Sequence, residues 1–412
     1  MLFYNLGIYL YTFVILLASA FKPKAKLWVQ GRKNWKTKYA EHLKKLTGQK
    51  KIWVHCASLG EFEQGRTLIE SIKKQYTSYK IILTFFSPSG YESCKNYGCA
   101  DAVFYLPYDS KANAKTFIDL VNPDKIIFIK YEFWVNYLNE IKRKNIECFL
   151  VSAVFKNHHP FFKWYGGIFV KSLHAFKKLF VQDKNSLELL KSIEVNNVEI
   201  CGDTRFDRVL EIKNNFTPIP EIEKFKGDHK LIIAGSTWPQ DEDLILETFN
   251  ELNLPDTKLV IVPHDIEEKL IKDTISKLNK YQLSYCLFTE KINADARVLV
   301  LNTMGLLSKS YYYANQAYIG GGFNGGIHNC LEPAVFGIPV TFSGNDFVKY
   351  NEAIDLINLK TAVNVNSSDE LKKAWTDFFL QERSSDKIRE NLRAYFESNS
   401  NVTQRVLSQI KF

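Results

Sequence analysis

The residues with most scope for chemistry lie in 320–344, GGGFNGGIHNCLEPAVFGIPVTFSG. The pattern predicts a glycine-rich turn leaving one strand, a helix with His328, Asn329 and Glu332 in its first turn, and a further strand. Bare backbone N–H groups beside a helix start, which carries about half a positive charge, would hold a phosphate. Glu332 would stand close enough to bond sugar hydroxyls. Together these features imply a nucleotide-sugar site. The same run matches G-x-G-x-x-G through Gly320, Gly322 and Gly325, with Asp346 beyond it. A dinucleotide fold places that fingerprint at the first strand of a domain. Here it falls near the end of the second domain, which disfavours NAD.

Other chemistry-bearing residues close strand-like runs. In HCASLGEFEQGR, Glu61 follows a small-residue turn containing Ser58 and Gly60. A carboxylate there could remove a proton from an acceptor hydroxyl. Ser58 and Glu61 equally fit an S-x-x-E capping box, which only ties off a helix end. Ser87 and Ser89, in TFFSPSG, offer hydroxyls and N–H groups to an anion, or form an ordinary strand-to-helix turn. Glu132 stands beside Trp134 in YEFW; buried there it would need a partner or a function, and otherwise it starts a helix. Gly235, Ser236 and Thr237 could hold a phosphate or cap the acidic helix after them. His264 closes VIVPH, where it would touch phosphate or base or serve the structure alone. Asn302, Thr303, Met304 and Gly305 fit an anion nest.

The elements that must position these residues alternate short apolar runs with helical stretches. Strands are expected over 51–57, 80–86, 125–129, 147–153, 178–182 and 198–201, and again over 230–234, 258–262, 284–288, 297–301, 316–319 and 339–342. Continuous apolar runs mark parallel strands covered on both faces, and their alternation with helices marks βαβ units. The fold expected is α/β, with two doubly wound Rossmann-like domains over 51–210 and 230–378 facing a cleft at the carboxyl ends of their strands. The polar stretch 211–229, with Pro218 and Pro220, reads as the linker, and 379–412 as C-terminal helices.

The formal charge of +9 is local. Residues 1–20 carry no charged side chain, while 21–51 hold eleven Lys and Arg against Glu41 alone, leaving 52–412 at −1. A nucleic-acid binder would spread its basic face over the folded domain, so that class is excluded. The apolar run 2–21 has the length to span about 30 Å of hydrocarbon as a helix. The basic segment 22–50 behind it places the following chain on the cytoplasmic side. A single-pass anchor over 1–21 is therefore expected. A cleaved signal peptide, suggested by Ala18-Ser19-Ala20, lacks a basic stretch ahead of the run; a helix lying on the surface is the other alternative, because Tyr4, Tyr9 and Tyr11 are only half apolar. Seven cysteines without a CxxC pair fit free thiols in a reducing compartment, with neither a disulfide framework nor a zinc site.

Taken in order, HCASLGE, the S-P-S-G turn, EFWVN, GDTRFD, AGST, NTMG and GGFNGGIHNCLEPAVFGIPV resemble the Kdo transferases. That family moves 3-deoxy-D-manno-octulosonic acid (Kdo) from CMP-Kdo to a lipid A precursor at the inner membrane, on a GT-B glycosyltransferase fold. The resemblance implies that Glu61 is the general base of an inverting single displacement and that Glu332 holds the ribose of CMP. It puts Gly325, Gly326, His328 and Asn329 at the donor's phosphate and sugar, with Gly235, Ser236 and Thr237 on the same side and Arg205 neutralising donor charge. It implies CMP-Kdo, a lipid A precursor and the inner membrane as partners, no nucleic acid, no cofactor and no metal. A GT-B transferase or nucleotide-sugar epimerase with a non-lipid acceptor is the alternative. The chain departs from the family pattern at Asn302 and Leu306, in VPHDIEE around His264, and in SAVFKNHHPFFKWY.

Overall fold

Uninterrupted apolar runs build two sheets. The computed structural model describes residues 1–380 and 382–412; Gln381, inside the helical tail expected over 379–412, lies outside the described residues. One unit comprises residues 1–208 with 399–412, and the other residues 209–398.

The first unit holds β1 (Lys50–Cys56), β2 (Tyr79–Phe85), β3 (Ala102–Tyr105), β4 (Lys125–Ile129), β5 (Glu147–Ala153), β6 (Lys178–Val181) and β7 (Val198–Ile200). They form a parallel sheet in the order β3-β2-β1-β4-β5-β6-β7. Six of the seven β1 residues are buried, as a strand covered on both faces requires. Trp35, Trp53, Phe117 and Tyr137 pack on one face; Phe62, Leu68 and Phe85 pack on the other. The C-terminal helix Val402–Ile410 returns to this second face, where Asp207 accepts from the Thr403 N–H at 2.6 Å and the Thr67 and Thr403 hydroxyls meet at 3.1 Å. The helical tail thus divides between the two units.

The second unit holds β8 (Lys230–Thr237), β9 (Thr257–Pro263), β10 (Tyr285–Leu287), β11 (Val298–Val300), β12 (Gln316–Ile319), β13 (Val340–Ser343) and β14 (Ala362–Val365). They form a second parallel sheet in the order β10-β11-β9-β8-β12-β13-β14. Both sheets reverse direction beside their first strand, at β1–β4 and at β8–β12. Crevices for ligands open at such points, outside the carboxyl ends of the strands.

Twelve of these strands match the expected runs, and β3 and β14 do not. Both are four-residue strands at a sheet edge, β3 with one half-buried position and β14 with one half-buried and one exposed. The stretch 211–229 is not an open linker: the helix Arg205–Asn214 runs into it and the helix Pro220–Lys226 fills much of the rest.

The N-terminal expectation changes most. The helix Leu2–Ala18 is 17 residues long, about 26 Å at the α-helical rise. A bend of 119° separates it from the helix Pro23–Arg32. No single helix among the described residues is long and apolar enough to cross a membrane; only this bent pair passes on length and composition. Its polar residues are used on the protein side. Tyr4 donates to Asp109 at 2.6 Å, and the Asn136 amide donates to Asn5 at 2.9 Å. Tyr9 and Tyr11 lie against Tyr108 and Phe86. All seven cysteines are free.

Candidate active site

In the first unit the turns after β1, β2 and β4 meet at the carboxyl edge. The Phe86 and Ser87 N–H groups donate to the Ala57 carbonyl at 3.1 and 2.7 Å, tying the second turn to the first. Ser58 caps the helix Leu59–Gln75, and the capping box is fully formed. Glu61 accepts from the Ser58 N–H at 2.9 Å and its hydroxyl at 3.2 Å. Ser87 caps the next helix, Pro88–Cys94, and its hydroxyl lies 3.0 Å from that of Ser89. Gly60 sits in the first turn of the Glu61 helix, where a Cβ would meet only Ser58 Oγ, at 4.0 Å. The capping reading of Glu61 and Ser58 is therefore realised, and it does not consume the acid.

Electrostatics set Glu61 apart from an ordinary cap. Burial, reinforced by the negative charge of Glu132, pushes its carboxyl up to about 7 against the opposing pull of Lys130 and the Ser58 bonds. A carboxylate poised near neutrality is suited to accept a proton. Lys130 stands in the turn after β4 with a left-handed backbone, φ +66°. Glu132 is 4% exposed, bonded to His55 Nε2 at 2.9 Å and to the indole N–H of Trp134. Glu132 is thus a buried acid with partners and not a simple helix start; the helix begins only at Val135.

Arg205 lies at the start of the helix Arg205–Asn214. Its guanidinium and backbone N–H clasp Asp203, with Nε at 2.8 Å from the carboxylate. Gln64 donates to the same carboxylate at 3.2 Å, so the helix that carries Glu61 also braces the Arg205 turn. Arg205 and Lys130 hold the Asp203 carboxyl below its usual range despite burial.

In the second unit the ends of β8, β12 and β13 converge. The Gly320 N–H donates to the Gly235 carbonyl at 2.9 Å. A Cβ on Gly320 would meet the Ser236 carbonyl oxygen at 2.3 Å, and one on Gly322 the Ser343 oxygen at 1.6 Å. Backbones this close admit only glycine. Asp241 is the hub: its carboxylate accepts from the N–H groups of Trp238 and Gly321 and from the Tyr318 hydroxyl, each at 2.9 Å.

The glycine run departs from expectation. The helix after it spans only Leu331–Ala334, with Cys330 as cap. Glu332 lies in its first turn, but His328 and Asn329 precede it in the loop. A four-residue helix supplies little dipole, so an anion here would depend on loop N–H groups and side chains. The run instead uses Gly321, Gly325 and Gly326 at φ +96°, +94° and +148°, a path open to glycine. Asn329 donates to Glu332 at 3.3 Å, orienting that carboxylate.

His264 stacks between Trp238 and His328, with ring centroids 4.7 and 4.5 Å away. Burial and the nearby His264 lower the His328 ring to about 4, which keeps it neutral at pH 7. Ser236 is left-handed at φ +54°, whereas the Thr237 hydroxyl is buried on Glu242 at 3.1 Å. Asn302 is engaged at both ends of its amide by Thr289, at 3.1 and 2.8 Å. Thr303 is half-buried, and Met304 and Gly305 are exposed, Gly305 at φ +86°. The sequence reading did not single out His55, Lys130, Asp203, Trp238 or Asp241. The first four lie within three residues of ones it did name.

The 3-deoxy-D-manno-octulosonic-acid transferase (kdotransferase) model matches residues 33–208, the stretch that carries Glu61, Glu132 and Arg205. A 3-deoxy-D-manno-octulosonic acid transferase of Aquifex aeolicus is 30% identical over 307 residues, covering 73% of this chain and 78% of its own. This chain belongs to the Kdo transferase family. Another member, from Rickettsia typhi, is 26% identical over 94% of this chain and 85% of its own. A bifunctional glycosyltransferase/methyltransferase of Fusobacterium nucleatum is 27% identical over 94% of this chain, which spans only 60% of that protein's length. Among solved structures, a UDP-GlcNAc 2-epimerase from Neisseria meningitidis aligns with a TM-score of 0.62 at 14% identity, over 87% of this chain and 98% of its own. MurG of Acinetobacter baumannii aligns at 0.54 and 11% identity, over 88% and 99%. These two likenesses concern the fold. The Kdo transferase family is one of glycosyltransferases.

Proposed function

We propose that this Kdo transferase moves Kdo from CMP-Kdo to a lipid A precursor, with Glu61 as the base. One observation carries the reading: the most perturbed carboxylate at the β1–β4 crevice, poised at about 7, is Glu61. Glu61 takes the proton from an acceptor sugar hydroxyl, that oxygen attacks the anomeric carbon of Kdo, and CMP leaves with inversion. The transition state resembles an oxocarbenium ion. Glu332, His328 and Asn329 hold the donor, while the glycine loop gives its phosphate access to backbone N–H groups. Mass spectrometry of wild-type protein incubated with CMP-Kdo and a tetra-acylated lipid A precursor tests the reading. A mass increase of one or more Kdo units supports it. No transfer to the lipid, with transfer to a soluble sugar, favours the non-lipid alternative.

The base must be ionised, so kcat/KM is expected to fall as pH drops through about 7 and to level off above it. An ordinary carboxylate would place that limb near about 4.3. A pH–rate profile distinguishes the two.

Membrane attachment is proposed for the helix Leu2–Ala18, lying in the interface. Leu2, Leu6, Leu10, Phe13 and Leu17 share one face of it and are 56–79% exposed. The basic segment that follows suits anionic headgroups. Replacing Leu6, Leu10 and Phe13 by Ser should lower binding to phosphatidylglycerol-containing vesicles by about tenfold or more, since each apolar side chain is worth roughly 1.5–3 kcal/mol when buried. Sedimentation with vesicles measures it, and unchanged binding would overturn the assignment.

A further inference from the structure

We infer that Tyr4 is a positioning residue for the transfer reaction: its hydroxyl completes the cap of the helix Val135–Arg143 and so holds the turn 130–134 against the Glu61 turn. The inference rests on the reaction proposed above and gives the helix Leu2–Ala18 a second role. That helix has two faces. Leu2, Leu6, Leu10, Phe13 and Leu17 point away from the protein, whereas the half-buried positions Tyr4, Asn5, Ile8, Thr12, Ile15 and Ala18 recur at helical spacing on the side that meets it.

The helix Val135–Arg143 needs a cap from outside. The N–H groups of its first turn have no helical carbonyl behind them, and Trp134, in the cap position, brings an indole that can only donate. Asp109 supplies two acceptors, taking the Asn136 N–H on Oδ2 at 3.0 Å and the Tyr137 N–H on Oδ1 at 3.1 Å. Tyr4 supplies the third. Its oxygen accepts from the Val135 N–H at 3.3 Å while its hydrogen goes to Asp109 Oδ2 at 2.6 Å. Asp109 is fully buried, so a charge there depends on such donors. The Asn136 amide uses both its hydrogens beside them, on the Asn5 side-chain oxygen at 2.9 Å and the Asp109 carbonyl at 2.8 Å. Tyr4 and Asn5 thus close the start of a helix 131 positions later in the chain.

Direct contacts carry this cap to the site. The turn it anchors holds Glu132, and the Trp134 indole N–H sits between the Glu132 carboxylate and His55 Nε2, 3.1 Å from the latter. The Trp134 ring lies 4.6 Å from that of Phe86. Phe86 in turn donates its N–H to the carbonyl of Ala57, the residue before Ser58, which caps the Glu61 helix. The second helix of the N-terminal pair grips the same residue. The buried Arg32 donates to the carbonyls of Phe86 and Leu106 at 2.8 Å each and of Trp28 at 3.0 Å. Tyr11 lies over the Phe86 ring at 6.2 Å. The N-terminal helices are therefore part of the wall behind the base, and a wall displaced by about 1 Å slows a reaction even when no reacting group is lost.

The test compares wild type and Tyr4→Phe as full chains, with CMP-Kdo and a tetra-acylated lipid A precursor dispersed in detergent, so that vesicle binding does not limit turnover. Phenylalanine keeps the ring against Phe169 and removes only the hydroxyl. We expect kcat to fall by about tenfold to a hundredfold, with KM for CMP-Kdo and sedimentation with vesicles unchanged. Amide hydrogen exchange at 135–137 should quicken by about tenfold or more while β4 keeps its protection. A hydroxyl that served stability alone would lower the melting temperature and leave kcat per folded molecule as it was. That result overturns the inference. Should Tyr4→Phe fail to fold, exchange in the wild type decides. Amides of 135–137 that open together with those of 2–18 support the role, and amides of 135–137 that stay protected while 2–18 exchange freely overturn it. Wild type that transfers nothing refutes the reaction itself, whereas wild-type transfer with an undiminished kcat in Tyr4→Phe refutes only the role of Tyr4.

Discussion

Glu61→Gln should leave a folded protein that binds CMP-Kdo normally and transfers Kdo about 10²–10⁴ times more slowly, the usual worth of a general base. The substitution separates the two roles that Glu61 holds. As a cap, Glu61 accepts from the Ser58 N–H at 2.9 Å. A glutamine oxygen can accept the same bond, and Gln serves at this position of a capping box. The helix Leu59–Gln75 should therefore keep its start, and circular dichroism and thermal melting should barely change. As a base, glutamine is inert. The reciprocal variant, Ser58→Ala, removes the capping hydroxyl and should cost about 0.5–2 kcal/mol of stability. It leaves the backbone N–H bond to Glu61, so most of the turnover should survive. The two variants thus have opposite signatures: one loses rate without stability, the other stability with little rate. If Glu61→Gln transfers at the wild-type rate, Glu61 is a cap and nothing more.

What the sequence made legible follows from how local each signal is. Twelve strands could be read because a parallel strand covered on both faces is an unbroken apolar run. The edge strands β3 and β14 were missed, although the equally peripheral and shorter β7 and β10 were read, so edge position and length alone do not account for the difference. Glu61 and its cap were readable because the capping box is a four-residue pattern. The raised pKa of Glu61 was not, because it comes from burial in the folded turn and from Glu132, which is distant in sequence and arrives through β1–β4 pairing. The start of the helix after the glycine run was misread for the converse reason. HNCLEPAVFG has the composition of a helix start, but Pro333 has no N–H to reach back to Asn329, the helix begins only at Leu331, and the left-handed Gly337, φ +82°, lies just beyond its single turn. At the N-terminus hydropathy alone suggested a span. The polar atoms of Tyr4 and Asn5 instead bond to Asp109 and Asn136, partners more than 100 residues away.

The largest effect outside the base should come from Asp241, which no motif pointed to. Its carboxylate is fully buried and accepts three hydrogen bonds: from the Trp238 N–H after β8, the Gly321 N–H after β12 and the Tyr318 hydroxyl within β12. It therefore pins the stacked Trp238 and the glycine loop to one point at the β8–β12 crevice. Alanine would strand the Trp238 and Gly321 backbone N–H groups, while the Tyr318 hydroxyl keeps Ser343 Oγ, 2.8 Å away. Each costs about 1–3 kcal/mol unless water reaches it, so Asp241→Ala should lose about 3–5 kcal/mol and with it CMP binding. Asparagine should be far milder. The two N–H donors share one carboxylate oxygen, which the amide oxygen can replace. The amide NH₂ then faces Tyr318, whose hydroxyl can turn to donate to Ser343 Oγ, 2.8 Å away. Tyr318 can thus become an acceptor toward residue 241 at little expense. Denaturant melts and CMP calorimetry on both variants measure the difference. Equal losses in Asp241→Ala and Asp241→Asn would mean that the negative charge, and not the three accepted bonds, is what the glycine loop requires.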